Sequence, residues 1–547
     1  MPATESPLPM QGAERRTAPL FVLLGALLLY ALRFGYDYGV SDQDEFLPYL
    51  LHHLDPSLLA QDWFVITQGA AFSIRTYFVM LLQGPALIVP AWLVLLIFYG
   101  VAWVLIAGAV YALGYAFTRN RLAAAAAVVV ALVLTPQWTL GGNDLVHSML
   151  VPSMAGWGLG LWGVVFFLRY RSGQVAFLLG AATWMQALVG LQLAGMLFVI
   201  LLWRLTHSPG TLRRVLLFAG VYALAALPAL GPLVLQQLGG TPPPEAADTP
   251  SMFYVLAQFR APHHYLFYSF PARSLVRFGA LTALGLTSFV LLHRKQSVHY
   301  STFLIPAFCC IAALCLFAFL FTEIRPVLFV AQLQLFKTTV LAKLLFVILI
   351  CGAVFAWLPD AVTRPLEKLM DAKGRGLAAV LGLWVLAIGS VIGGVEAVRA
   401  KAVPLAREGT PIEQVETWAR TQTPRDAVFA VPPSWSGFRS RARRGIVINY
   451  KAFPYRDRLN ITWFERLTNM APITLPDRGG STLQDSLDAA FFRQPASTLL
   501  HLAGRYDFEY VVRNRPLAPT SASFDPVYSS GEWIVYRIIS AADLNNE

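Results

Sequence analysis

Residues 18–46 read APLFVLLGALLLYALRFGYDYGVSDQDEF, an apolar run followed at once by an acidic stretch. The apolar half is long enough to cross a bilayer, since a transmembrane helix needs about 20 apolar residues. The acidic half continues to Arg75, and its six carboxylates are Asp37, Asp42, Asp44, Glu45, Asp55 and Asp62. Leucine and aromatic residues alternate with these acids, so the stretch is predicted to lie on the bilayer surface with its acids facing water. Three roles fit these acids. They are a general base, ligands of a divalent cation, or part of an ordinary solvated loop.

The composition of the whole chain is that of a polytopic membrane protein. Of its 547 residues, 56% are hydrophobic and only 13% are charged, and its mean hydropathy is +0.56. A soluble protein has roughly twice that charged fraction. The net charge of +11 does not require a nucleic-acid partner, because Lys and Arg collect on the cytoplasmic loops of membrane proteins.

About eleven apolar segments are predicted to span the membrane. They cover residues 18–36, 84–117, 121–138, 147–168, 174–187, 188–203, 215–237, 275–292, 301–321, 328–357 and 376–395. Residues 76–117 exceed one crossing, so a surface helix broken near Pro85 or Pro90 is expected there. Residues 174–203 are short for two crossings, which indicates a turn within the membrane between Ala181 and Leu191.

The charges between these segments predict the sidedness of the chain. With about eleven spans, six basic clusters from Arg15/Arg16 to Arg364–Arg375 fall on one side and the acids of 37–62 on the other. The positive-inside rule then puts the amino terminus in the cytoplasm and the carboxyl-terminal domain outside, in the periplasm or extracellular space.

The composition becomes that of a soluble domain near Glu396, so we predict a membrane domain over 1–395, with its first outer loop at 37–75, and a soluble domain over 396–547. Strands are expected at 427–431, 445–449, 508–512 and 533–537, and helices at 411–421, 457–470 and 481–503. Strands interleaved with helices indicate a small α/β domain. Its basic and aromatic stretches, 437–444 and 451–456, form either a binding face for an anionic glycan or lipid or, as we favour, a docking surface.

Three further groups of residues are candidates for binding. Asp144 and His147 follow a Gly-Gly turn between two spans, and Arg260, His263 and His264 follow a Pro-rich turn. An arginine beside histidines suits a phosphate, although side chains at an interface also extend toward water without any ligand. Adjacent histidines point in different directions, and the usual zinc spacings are absent, so no metal site is assigned.

Ionisable residues inside the apolar segments form the third group. Arg325 lies close to Glu323, with which it can pair, and Lys337 and Lys343 lie deeper in the segment 328–357. Charged residues at such depth are costly and usually functional. Lys337 and Lys343 are predicted to contact an anionic lipid head group.

The layout resembles the GT-C superfamily of integral membrane glycosyltransferases. The residues that carry the resemblance are Asp42, Asp44 and Glu45 in the first loop, Asn143-Asp144 in the second, and the long penultimate helix. More closely, 41–46, 260–264 and 426–454 resemble an uncharacterised bacterial branch, the DUF6798-type proteins.

This resemblance implies transfer of a sugar from a polyprenyl-phosphate carrier to a glycan, lipid or protein acceptor at the outer face of the bacterial inner membrane. Asp44 or Glu45 would be the base of an inverting displacement, with Asp42 beside them. Arg260, His263, Arg325 or Lys337 would stabilise the departing phosphate. Some members of the superfamily need a divalent cation such as Mg²⁺ or Mn²⁺ and others do not.

Two other functions remain open from the residues. A transporter or flippase for a lipid-linked or anionic substrate would use Lys337 and Lys343, but the inverted repeats typical of transporters are not visible. A non-catalytic membrane scaffold would recruit partners through its soluble domain.

Overall fold

The computed structural model describes residues 17–239, 250–371, 409–517 and 523–539. Contacts between residues divide the chain into two compact units. The helical unit comprises Met1–Tyr36, Leu96–Pro232 and His263–Val403, and the mixed unit comprises Asp37–Leu95, Leu233–Pro262 and Pro404–Glu547. The predicted boundary near 395 and the predicted span 376–395 lie outside the described residues.

Long apolar helices make this a multi-pass membrane protein. Six helices in the described ranges are long and apolar enough to cross a bilayer: Ala91–Thr118, Ala187–His207, Pro209–Gln236, Ala272–Arg294, Ser301–Ile324 and Leu328–Trp357. Val22–Phe34, Arg121–Leu134 and Pro152–Leu168 are shorter apolar helices. A further helix covers Ser172–Met185, and Asp360–Asp371 forms a polar helix. The total of about eleven spans stays a prediction.

Both expected breaks in the helical pattern are confirmed. Helix Thr76–Ala86 is separate from Ala91–Thr118, because Pro90 has no N–H to donate to the carbonyl oxygen of Ala86. Helices Ser172–Met185 and Ala187–His207 meet at Gln186, whose backbone is extended. The Gln186 side chain accepts a hydrogen bond from the backbone N–H of Leu188 and so caps the second helix.

The span predicted over 328–357 is present, but its helix is interrupted. Helix Leu328–Gln332 is followed by a 3₁₀ turn over Leu335–Thr338 and then by helix Thr339–Trp357. Gln334 has a φ of 47°, which no helix accommodates. The carbonyl oxygen of Leu333 accepts a hydrogen bond from Gln192 Nε2 at 2.6 Å. That of Gln334 accepts from Gln192 Nε2 at 3.3 Å and from the backbone N–H of Lys337 at 2.8 Å.

The mixed unit contains the predicted α/β fold. Its helices are Leu47–Leu54, Trp63–Gly69, Thr76–Ala86, Pro411–Gln422, Phe438–Arg441, Asp457–Met470, Gln484–Arg493 and Ala496–Tyr506. Its strands are β1 (Val428–Ala430), β2 (Gly445–Ile446), β3 (Tyr510–Arg513), β4 (Phe524–Ser530) and β5 (Trp533–Ile538).

The five strands form one mixed sheet in the order β2-β1-β3-β5-β4. Strand β1 pairs in parallel with β2 and β3, and β5 pairs antiparallel with β3 and β4. Phe429 of β1, Val512 of β3 and Val535 of β5 are fully buried in a core with Trp435 and Phe438. This core holds residues 435–449, which reach the acidic stretch described next.

Candidate functional site

Three acids of the acidic stretch, Asp42, Asp44 and Glu45, lie in a 3₁₀ turn over Ser41–Glu45. Phe46, directly after the turn, is fully buried and packs edge-on against Phe78 of helix Thr76–Ala86, with the ring centroids 5.1 Å apart. Burial of this ring fixes the turn. As a result the acids have separate environments instead of forming one cluster.

Asp42 is the most exposed acid of the turn. Its side chain is 40% exposed, and its carboxylate pairs with Lys451 at 2.5 Å. An ion pair this exposed contributes little to stability.

Asp44 binds the segment around residue 437 through hydrogen bonds to its carboxylate. Its carboxylate accepts hydrogen bonds from the backbone N–H of Gly437 at 2.9 Å, from Ser436 Oγ at 2.7 Å and from Asn449 Nδ2 at 3.2 Å. Burial raises the pKa of Asp44 to about 6, although the Ser436 hydrogen bond and the charge of Arg439 lower it. A carboxylate with such a pKa suits a base, yet these donors occupy both of its oxygens.

Glu45 lines a partly open pocket. Arg75 Nη2 donates a hydrogen bond to Glu45 Oε2. Tyr455 OH is 3.3 Å from Glu45 Oε1 and donates to it, and Arg260 Nη2 is 3.9 Å from the same oxygen. The residues that line the pocket are Glu45, Gln68, Ser73, Ile74, Arg75, Phe453, Tyr455 and Arg456.

Arg260 is held beside this carboxylate by the segment around residue 450. Its guanidinium donates to the carbonyl oxygen of Lys451 at 2.8 Å and lies 5.1 Å from the Tyr450 ring centroid and 5.7 Å from that of Phe453. Tyr450 OH donates in turn to the carbonyl oxygen of Arg260 at 2.7 Å. Burial raises the pKa of Tyr450 to about 12, so its hydroxyl stays a neutral donor.

A second buried acid, Asp62, is linked to Asp44 through hydrogen bonds of Arg439 and Asn449. Asp62 Oδ2 accepts from Arg439 Nε at 2.7 Å and from the backbone N–H of Ile446 at 2.9 Å. Arg439 Nη1 donates to Asn449 Oδ1 at 3.0 Å, and Asn449 donates to Asp44. We call the set Asp62–Arg439–Asn449–Asp44 the buried polar network.

The burial of Arg439 and Arg444 corrects part of the expectation of a basic surface over 437–444, in which Arg441 is half-buried and Arg443 is exposed. Arg439 is 1% exposed and Arg444 is 4% exposed. Arg444 donates to Thr423 Oγ1 and to the carbonyl oxygens of Arg420 and Thr423. Both arginines therefore act inside the fold instead of presenting a face to a ligand or partner.

The remaining predicted binding residues belong to the helical unit. Asp144 is buried, and its carboxylate accepts from Lys343 Nζ at 2.7 Å and from the backbone N–H groups of Gln137 and Leu145. The prediction that Lys343 contacts a lipid head group is wrong, because this lysine is fully buried in that ion pair. Lys337 is also buried, at 5% exposure, and its role stays a prediction.

His147, His263 and His264 are half-buried, and Arg325 is exposed. The rings of His263 and His264 lie 4.1 Å apart, and His264 Nδ1 is 2.5 Å from the carbonyl oxygen of Gly141. Glu323 accepts from the backbone N–H of Tyr268 at 2.8 Å. Their roles in binding a substrate stay predictions.

Across the described ranges, no group of three or more His, Cys, Asp or Glu side chains could hold a metal ion. In the mixed unit, Asp42, Asp44 and Glu45 each face a different basic or hydrogen-bonding partner. A requirement for Mg²⁺ or Mn²⁺ stays a prediction.

Sequence reasoning missed the roles of Arg75, Tyr455 and Asn449. The sequence places Tyr455 and Arg456 only in a basic, aromatic stretch, and Arg75 only at the end of the loop. Basic and aromatic side chains alternate over 451–456. This pattern indicates a binding site for an anion. No local signal pointed to Asn449.

Gly437 allows the close approach on which the Asp44 contact depends. Its φ is +90°, and a Cβ there would lie 2.4 Å from the carbonyl oxygen of Gly39. We therefore expect Gly437→Ala to lower the free energy of unfolding by about 1–3 kcal/mol. Gly504→Ala is the matched control, because a Cβ at this helical position meets nothing within 4 Å, and it should raise stability by roughly 0.5–1 kcal/mol. Thermal unfolding of both variants tests this; equal effects would contradict the role of Gly437.

The fold is thus that of a mostly helical multi-pass membrane protein with a small α/β domain. Residues 410–470 match the family model DUF6798, a domain of unknown function. This match confirms the expected resemblance for that segment, which includes Ser436, Gly437 and Asn449. No curated protein matches the chain.

Among solved structures, the chain is similar to the crystal structure of the Archaeoglobus fulgidus oligosaccharyltransferase tethered with an acceptor peptide through a disulfide bond. The two share 13% sequence identity, and the TM-score is 0.49. The match covers 91% of this chain and 69% of the archaeal one.

Proposed function

We propose that this protein is a GT-C-type membrane glycosyltransferase that moves a sugar from a polyprenyl-phosphate-linked donor to an acceptor hydroxyl, with Glu45 as the general base. It acts at the outer face of the bacterial inner membrane. The observation that carries the proposal is a buried carboxylate at a pocket lined by Arg75, Tyr455 and Arg456, with Arg260 3.9 Å away.

Among the first-loop acids, the geometry favours Glu45 over its neighbours. The Asp44 oxygens accept from Ser436, Gly437 and Asn449, and Asp42 is drawn away toward Lys451. Glu45 Oε2 accepts a hydrogen bond from Arg75, whereas Oε1 has only the longer contacts to Tyr455 and Arg260. Oε1 is therefore the oxygen that can take a proton from a substrate.

In the proposed reaction, the acceptor oxygen attacks the anomeric carbon as its proton moves to Glu45 Oε1. The bond between the anomeric carbon and the phosphate oxygen breaks, and its electron pair leaves with the polyprenyl phosphate. Guanidinium groups in a site of reduced polarity stabilise that developing charge far better than water does. Arg75, Arg260 and Arg456 are the groups that would do so. A single displacement inverts the anomeric configuration.

The test is to incubate the protein in lipid vesicles with lipid-linked sugars labelled in the sugar. A transferase moves label from the acid-labile phosphate linkage into an acid-stable glycosidic bond, with or without added Mg²⁺ or Mn²⁺. Label that crosses the bilayer and stays acid-labile would support a transporter instead. If the label neither moves nor changes its linkage, the sugar-transfer proposal fails.

A further inference from the structure

Helix Thr76–Ala86 of the mixed unit has apolar side chains on two opposite faces. One face carries Phe78, Val79 and Leu82, which are at most 1% exposed and pack inside the unit. The other face carries Met80 and Leu81, which are 57% and 41% exposed. A helix on the surface of a soluble domain shows polar residues on its open face, so this second face requires an apolar environment.

The exposed apolar stripe continues beyond the end of the helix. Leu87 and Ile88 are 70% and 87% exposed, and they lie seven and eight residues after Met80, which is the spacing of one helical face. Neighbouring exposed side chains of this size form a patch of the kind that marks an interaction surface.

The position of the stripe in the chain identifies its partner. Three residues after Ile88, the chain enters helix Ala91–Thr118, whose mean hydropathy is 2.6 over its most apolar stretch. This helix of 28 residues is about 42 Å long at 1.5 Å per residue, which matches a bilayer of ~40–45 Å including its head groups. Ala91 therefore lies at or below the level of the lipid head groups. Ile88 lies within about 11 Å of Ala91.

We infer that helix Thr76–Ala86, with Leu87 and Ile88, lies in the membrane interface with Met80, Leu81, Leu87 and Ile88 inserted among the lipids. Its 11 residues span only about 16 Å, so it lies along the bilayer surface instead of crossing it. Trp92, 39% exposed at the start of the following helix, is the kind of residue found at this depth.

The anchor sets the height of the Glu45 pocket above the bilayer. Ser73, Ile74 and Arg75 line that pocket, and Thr76 begins the helix directly after them. The inference does not depend on the catalytic role of Glu45. A failure of the sugar-transfer assay would leave it standing.

Nitroxide labels on single cysteines test the inference in lipid nanodiscs, in a background with the four native cysteines replaced. Accessibility to oxygen marks lipid, and accessibility to a water-soluble nickel chelate marks water. Labels at Met80→Cys and Ile88→Cys should match a label at Leu227→Cys, which is 60% exposed on an apolar span. They should differ from a label at Gln422→Cys, exposed at the end of a polar helix.

Two results would overturn the inference. Nickel accessibility equal to that at Gln422→Cys would put the stripe in water, and protection from both reagents would mean that protein, such as a second copy of the chain, covers it. Labels at Leu81→Cys and Leu87→Cys keep the test decisive if one variant fails to fold.

Discussion

Replacing Glu45 with Gln is expected to lower the rate of sugar transfer about 10²–10⁴-fold, the usual contribution of a general base. The amide oxygen of Gln still accepts the hydrogen bond from Arg75, so the pocket should keep its shape. The substitution removes the capacity to take the acceptor proton and also the charge that pairs with Arg75, so the thermal stability of the variant is measured beside its rate. The measurement is the rate at which label enters acid-stable product, compared at saturating substrate so that weaker binding is not mistaken for slower chemistry.

Two neighbouring substitutions serve as controls. Asp42→Asn removes a 40% exposed ion pair with Lys451 and should change the rate by no more than a few-fold. Asp44→Asn should lower the thermal stability, because an amide group would face the donor of Asn449, 3.2 Å away. A Glu45→Gln enzyme that works at the wild-type rate would remove Glu45 as the base. Loss of activity in a stable Asp44→Asn variant would transfer that role to Asp44.

Apolar length and proline or glutamine positions predicted much of the helical pattern. The breaks at Leu87–Pro90 and at Gln186 followed from local chemistry alone. Proline has no backbone N–H to donate within a helix, and a polar side chain without a partner is costly in lipid. The break at Gln334 did not, since the carbonyl oxygen of Leu333 beside it accepts its hydrogen bond from Gln192, 141 residues away.

The missed strand β4 shows a second limit. Residues Phe524–Ser530 include Asp525, Pro526 and two serines, which predict a turn. The segment is nevertheless an edge strand, where proline is tolerated because one side of the strand needs no partner. Its pairing with β5 outweighs the local preference.

Within the candidate site, the sequence singled out the turn that carries Asp42, Asp44 and Glu45 but did not predict the contacts of each acid. Asp44 and Glu45 are adjacent and chemically alike, and what separates them is a contact with Gly437, 393 residues away. The sequence predicts Arg439 at a surface, because charged residues are rarely buried. Its buried partner Asp62 lies 377 residues earlier in the chain, and such a pairing leaves no trace in local composition.

The second large effect is expected in the buried polar network. Arg439→Met should lower the free energy of unfolding by about 3–5 kcal/mol, because it leaves the Asp62 carboxylate buried without its cation. Arg439 and Asp62 are 1% and 0% exposed, so water cannot replace the lost partner. Arg425→Met is the matched control in the same unit. Its pair with Asp55 is 67% and 42% exposed, and its removal should cost no more than about 1 kcal/mol.

The double variant Asp62→Leu/Arg439→Met separates the pair from its surroundings. Removing both charges together should cost clearly less than the sum of the two single changes, since no buried charge is left uncompensated. Denaturant unfolding in detergent measures the three free energies. If Arg439→Met were as mild as Arg425→Met, the ion pair would not stabilise the mixed unit.

The network also predicts where the damage appears. Arg439 donates to Asn449, and Asn449 donates to Asp44. Loss of the guanidinium therefore leaves Asn449 Oδ1, beside the turn that carries Glu45, with the backbone N–H of Ala452 as its donor. Limited proteolysis of Arg439→Met should therefore expose both the 37–62 stretch and the 436–449 segment, and at the same protease concentration. Cleavage confined to 436–449 would mean that the acidic turn holds its shape without the network, and the position of Glu45 would then depend on Arg75 and Phe46 alone.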